Sequence, residues 1–366
     1  EMRKLGSVIL EAADRARVPA GRALGVDRER FSDAITSIVT EAPDIHVIRE
    51  ECTAFPNEGV VIVASGPLTS DALASHLSER LGAQMLYFYD SISPIVTADS
   101  VDTTKTYFAS RYETDQTDYL NCPMDRVTYE KFVEEIRASE KVPIRPFEAM
   151  RCFEACLPIE LLAERGVETL AFGPMKPVGL DDPRTGKRPH AVVQLRRENH
   201  PTTLYNLVGF QTRMKWDEQK RIFRKIPGLE QAEFVRMGSM HRNTYIDSPK
   251  LLSPDLSLKN DPRILIAGQI VGVEGYVESA AMGIWAGLTA VARQKGVELP
   301  RPPEETAMGT LLRAVTRVPL HGAYSPMNMN FGLFPPLAHN EKGKEARRRG
   351  MVERAHKVSD TWRQRL

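Results

Sequence analysis

Cys152 and Cys156 stand four residues apart in the run Arg151-Cys-Phe-Glu-Ala-Cys-Leu-Pro158. If that stretch is helical, both thiols share one face, and Pro158 ends the helix soon after. A thiol so placed serves as a nucleophile, an acid/base partner or a redox group. The plainer reading is two small buried side chains, the commoner fate of free cysteines. Cys122, beside Pro123, sits in an extended or turn segment and reads as packing. With Cys52 the chain holds four cysteines and no CxxC pair, which speaks against a zinc site and fits a reducing cytoplasm.

Three other groups have chemistry-bearing side chains. Gly173-Pro-Met-Lys-Pro-Val-Gly-Leu180 is a loop stiffened by proline, with Lys176 projecting from it to meet an anion or only solvent. His241-Arg242-Asn243 follows a predicted strand, Phe234–Arg236, and offers an imidazole, a cation and an amide where α/β proteins place ligands. Arg347-Arg348-Arg349 lies in a basic stretch near the C-terminus, suited either to phosphates or to a solvated helix with Met351 and Trp362 as its packing face.

The elements that must position these groups begin with the block 264–283. Ile264 to Ala267 has strand length, Gly268, Gly272 and Gly275 follow, and a small-residue helix starts near Tyr276. Strand, glycine turn and helix make an N-terminus that a flavin or nucleotide can approach, although an ordinary strand–helix junction has the same pattern. Val60 to Ala64 reads as a central parallel strand, running into Ser65-Gly66 and a helix from Thr69 or Ser70. Two such units indicate a doubly wound α/β sheet. Upstream, residues 1–18 read as a helix. Residues 27–40 read as a second one, capped by Asp27 and buried along Phe31, Ala34, Ile35 and Ile38, and Ile45 to Ile48 reads as a short strand. Residues 85–230 carry short alternating strands, Thr169–Phe172 and Ala191–Leu195 among them, broken by turn signals, as in an inserted α+β domain.

The 366 residues suffice for two or three domains, and 42% hydrophobic with 27% charged residues is an ordinary globular composition. A formal net charge of +1 leaves any nucleic-acid surface to a local patch. No apolar run approaches membrane-spanning length. The chain opens with Glu1 inside a helical pattern, so native sequence upstream is expected.

Seven segments together resemble the folate- and FAD-dependent tRNA uracil-5-methyltransferases. They are Tyr119-Leu-Asn-Cys-Pro-Met124, Phe153-Glu-Ala-Cys156, Phe172-Gly-Pro-Met-Lys-Pro-Val-Gly-Leu180, Val208-Gly-Phe-Gln-Thr212, Met240-His-Arg-Asn-Thr-Tyr245, Gly272-Val-Glu-Gly-Tyr-Val-Glu-Ser-Ala-Ala281 and Phe331-Gly-Leu-Phe-Pro-Pro336. They span nearly the whole chain in the family's order. The resemblance implies a glutathione-reductase-like FAD domain, 1–94 with 232–366, and an insertion domain, 95–231. It implies one-carbon transfer from methylenetetrahydrofolate to carbon 5 of uridine 54 in the tRNA T loop, with reduced FAD recharged by NAD(P)H. Cys156 is then expected at the active site, with Cys152 packing beside it. Ser65, Gly66, Gly268, Gly272, Glu274, Gly275 and Tyr276 are expected at FAD. Lys176, Trp216, His241, Arg242 and Asn243 are expected at folate or uracil, and Arg347, Arg348 and Arg349 at the tRNA backbone. The family's GxGxxG turn and its Cys-Ser-Asn-Ser segment do not occur in this sequence, as expected of a chain whose first strand is missing. Two alternatives stand beside this reading: a binding remnant that does no chemistry, and a homologue acting on ribosomal RNA. A different FAD oxidoreductase would have no reason to contain the Gly-Pro-Met-Lys-Pro and His-Arg-Asn-Thr segments.

Overall fold

The computed structural model describes residues 1–21, 23–83, 85–111, 117–143, 157–319, 324–338 and 343–366. Cys152 and Cys156 lie outside the described residues. The chain divides into two units, one of 1–10, 48–88 and 242–366, the other of 11–47 and 89–241.

In the first unit, strands Val61–Val63 and Ile264–Ile266 pair in parallel, Ile264 opposite Val61 and Ile266 opposite Val63. Ile264, Leu265 and Ile266 are fully buried, as a strand covered on both faces requires. Helix Asp71–Leu81 follows the first strand. Ser70 caps it by accepting from Leu73 N, and Gly82 ends it in the left-handed conformation. Helix Tyr276–Lys295 follows the second strand and buries Met282, Trp285 and Ala286 in the same core. Helix Ala307–Thr316 and the basic helix Lys344–Arg363 complete the unit, the latter burying Met351 and Trp362 as its packing face.

The second unit is built on a six-stranded antiparallel sheet, in the order Phe234–Arg236, Ile95–Thr97, Leu204–Leu207, Ala191–Arg197, Tyr119–Met124, Tyr107–Ala109. Leu120, Cys122, Met124, Val193 and Leu195 join helices Arg126–Ala138, Ile159–Glu164 and Trp216–Phe223 in its core. Cys122 is wholly buried, which pushes its thiol pKa up and makes it packing. A polar ladder stabilises the sheet: Asn121 Nδ2 donates to the carbonyls of Tyr107, Ala109 and Tyr119, and Gln194 Nε2 donates to Asn121 Oδ1 at 3.0 Å.

Several local expectations need correction. Residues 11–47 belong with the second unit, because Tyr119 donates its hydroxyl to Ala20 O, Asp118 accepts from Gly21 N and Asp27 accepts from His200 N. The boundaries therefore fall at 88/89 and 241/242 rather than at 94/95 and 231/232. Gly6, at φ 74°, breaks the expected first helix into a 3₁₀ turn, Met2–Leu5, and a helix, Val8–Arg15. Helix Arg28–Glu41 has its Asp27 cap but no buried residue, and 45–48 is not a strand; Ile48 is 67% exposed. Thr169–Phe172 is helical, because Leu170 and Ala171 turn inward while Tyr129 ties its backbone.

Candidate functional site

Because the two paired strands of the first unit are parallel, both reach their carboxyl ends at one edge. Ala267 N, just past the second strand, still donates to Val63 O at 2.9 Å. Ser65-Gly66 continues one strand and Gly268 the other. Gly66 has φ 75° and Gly268 φ 82°, and a Cβ built on either meets nothing within 4 Å. Backbone in that conformation facing open space is what a flat or anionic ligand needs for close approach. The turn 65–69 is held from within: Thr69 Oγ1 donates to Gly66 O at 2.8 Å and stands 2.8 Å from Ser65 Oγ. From outside, Thr244 N donates to Pro67 O at 2.8 Å.

The glycines downstream have different reasons. At Gly272, φ 82°, a Cβ would lie 2.5 Å from the Tyr324 hydroxyl, which donates to Val271 O. This glycine is required by packing. Burial pushes the Tyr324 phenol pKa up, so it stays a neutral donor. Buried Glu274 accepts from Gln269 Nε2 at 2.9 Å, and its N–H donates to Met327 O at 2.8 Å. It staples the loop. Gly275 is the N-cap of helix Tyr276–Lys295 at φ 108°, and Tyr276 is 94% exposed. The ring therefore stands at the helix N-terminus, free to cover a ligand.

Arg242 and Asn243 lie on strand Ser239–Tyr245 and belong to this unit. The Arg242 guanidinium sits 4.3 Å from the Tyr87 ring centroid and 3.7 Å from Asp71 Oδ1. Asn243 is buried. The neighbouring His241 belongs to the other unit, where its Nε2 is 3.1 Å from Ser239 Oγ. Arg347, Arg348 and Arg349 are exposed on their helix, and Arg348 lies 5.0 Å from the Phe331 ring centroid.

In the second unit, Lys176 projects from a rigid loop. Arg111 Nη2 donates to Pro174 O at 2.7 Å, and Met175 is fully buried. At Gly179, φ 78°, a Cβ would stand 2.1 Å from Arg111 O, so only glycine fits. Trp216 begins helix Trp216–Phe223 and is 66% exposed. Cys156 lies outside the described residues.

Residue-type reasoning missed the clamp that follows the Cys156 segment. Glu160 is completely buried and accepts from Thr212 Oγ1 at 2.9 Å and from Arg213 N at 2.8 Å. Arg213 Nε stands 3.8 Å from its carboxylate, beyond hydrogen-bond reach, so that attraction is electrostatic. Burial holds the Glu160 pKa above the usual carboxylate range despite these partners. Ile159 N donates to Gln211 O, and on the other side Val142 N donates to Arg213 O. One strip, Gln211–Arg213, thus binds the backbone at both 142 and 159. The only sequence signal was a glutamate beside Pro158 and Ile159.

The family described as glucose inhibited division protein A matches residues 1–298. A methylenetetrahydrofolate–tRNA-(uracil-5-)-methyltransferase TrmFO from Geobacter sulfurreducens is 56% identical over 363 residues, covering 99% of this chain and 83% of the relative. That of Pelobacter propionicus is 57% identical over 368 residues, covering 100% of this chain and 80% of the relative. The chain belongs to the TrmFO methyltransferase family. Among solved structures, Aquifex aeolicus GidA in its form II crystal superposes with a TM-score of 0.63 at 18% identity. The alignment covers 92% of this chain and 58% of that one, less than two thirds of its length. At that identity it establishes the fold, the glutathione-reductase-like α/β architecture of a TrmFO family member.

Proposed function

We propose that this chain is a methylenetetrahydrofolate–tRNA uracil-5-methyltransferase that uses FAD, with NAD(P)H as electron source. The observation that carries the reading is identity of 56–57% with TrmFO relatives along 99–100% of the chain. The FAD requirement is supported by Gly66 and Gly268, whose positive φ and open surroundings at adjacent strand ends fit a flat ring system and its ribityl chain. Ser65, Gly66, Gly268 and Gly275 would hold it, with Tyr276 at its edge, while Gly272 and Glu274 shape the loop. Bound FAD, once reduced, supplies the electron pair that brings the transferred carbon to a methyl group.

The chain's own residues bind and orient. Arg242, presented on Tyr87, and the buried amide of Asn243 address the polar edge of folate or uracil. His241 and Trp216 are likewise assigned to folate or uracil, and Lys176, as a cation, to an anionic group of those substrates, the folate glutamate or a tRNA phosphate. Cys156 is assigned to proton handling at the uracil. The exposed Arg347, Arg348 and Arg349 are assigned to tRNA phosphates. The target is uridine 54 of the T loop and the compartment the cytoplasm; no helix among the described residues is long and apolar enough to cross a membrane.

The test is methylation of tRNA lacking 5-methyluridine, with isotopically labelled methylenetetrahydrofolate, FAD and NADPH, read by nucleoside mass spectrometry. Labelled 5-methyluridine at position 54 is expected. Label in ribosomal RNA alone would favour the alternative homologue, and flavin binding without label in either RNA would refute the methyltransferase reading.

A further inference from the structure

Phe172 is the most exposed large apolar side chain among the described residues of its unit, at 78%. Its backbone is nevertheless firmly held. Tyr129 accepts from Ala171 N at 3.0 Å and donates its hydroxyl to Val167 O at 2.6 Å. Phe172 N donates to Glu168 O, and Met175 N to Leu170 O at 2.9 Å. Leu170 and Met175, on either side, are completely buried. The ring cannot retract into the core without unfolding this turn, so its exposure is imposed by the chain. Gly173 leaves a shallow depression beside it, bounded by Gly166, Val167, Glu168 and Thr169. A Cβ at Gly173 would press on Thr169 O at 3.0 Å. Glu168 turns its charge toward His190 at 3.4 Å and Arg126 at 3.9 Å. Lys176, one turn on, makes no ion pair among the described residues.

We infer that Phe172 is a stacking platform for an unstacked base of the RNA substrate, with Lys176 taking an adjacent phosphate. The inference rests on the tRNA reading above. A bare aromatic face on a rigid turn, with an uncommitted cation beside it, matches a splayed nucleotide in shape and charge. Glycine at 173 is required by the Thr169 carbonyl, which a Cβ there would meet at 3.0 Å.

The test uses the flavin-loaded enzyme and unmodified tRNA, with affinity by anisotropy and kcat and KM for methylation. Phe172→Ala should weaken tRNA binding and raise the tRNA KM roughly tenfold, the scale of one lost base–aromatic stack. NAD(P)H oxidation by the flavin and the melting temperature should stay at parental values. Phe172→Trp should restore binding, and Lys176→Gln should lower the salt slope of log affinity by about 1. Parental tRNA affinity in Phe172→Ala, or equal loss in Phe172→Trp, would overturn the platform while leaving the methyltransferase reading intact. A parent enzyme that neither binds nor methylates tRNA would overturn both.

Discussion

Replacing Glu160 tests the clamp next to the Cys156 segment. Glu160→Ala removes the acceptor for Thr212 Oγ1 and Arg213 N and leaves the Arg213 guanidinium without its carboxylate. The Thr212 oxygen still accepts from Met214 N at 3.0 Å, so its hydroxyl proton is orphaned but its lone pair is not. Two orphaned donors at about 1–3 kcal/mol each give a loss of about 2–6 kcal/mol. For a unit of this size each kcal/mol moves the melting temperature by about 2–4 °C, so a drop of about 4–24 °C is expected. Glu160→Gln separates hydrogen bonding from charge. The folded pKa of Glu160 is raised above its ordinary 4.5 by burial. Between those two values the folded state binds more protons than the unfolded one, so this group's contribution is full below 4.5 and is lost as pH rises through the raised pKa. The amide introduced by Glu160→Gln cannot titrate, and that decline should vanish. The assay is calorimetric melting of parent and both variants from acid to neutral pH. A Glu160→Ala melting point within about 1 °C of the parent, or an unchanged decline in Glu160→Gln, would refute the reasoning.

Other expectations follow from single contacts. Gly272→Ala puts a methyl 2.5 Å from the Tyr324 hydroxyl at φ 82°; it should destabilise the first unit and abolish flavin absorbance after gel filtration. Gly66→Ala meets no neighbour and carries only the left-handed strain of about 1 kcal/mol, so folding should persist while flavin affinity falls. Gly179→Ala drives a methyl against Arg111 O and should lower the melting point of the second unit without altering flavin content. Cys156→Ala should abolish most methyl transfer with the flavin spectrum unchanged; full activity would remove this thiol from the mechanism.

Strand 61–63, its glycine turn and helix 71–81 were legible in the sequence because each depends on neighbours within a few residues: an apolar run, a hydroxyl cap at Ser70, a left-handed glycine at 82. The block 264–295 was legible for the same reason, and the seven segments made the family legible through their order. Cys122 as packing followed from its strand. Tertiary structure decided what depends on distant partners. Helix Arg28–Glu41 has an apolar stripe by period, yet no core receives it. Thr169–Phe172 alternates like a strand, yet burial of Leu170 and the Tyr129 hydroxyl make it a helix with Phe172 outside. His241 and Arg242 are adjacent in the chain and fall in different units. Glu160 finds its partners more than fifty residues away, at 212 and 213. Local propensity and turn chemistry are written residue by residue, whereas burial of a charge and closure of a hydrogen bond across that separation exist only once the chain has folded.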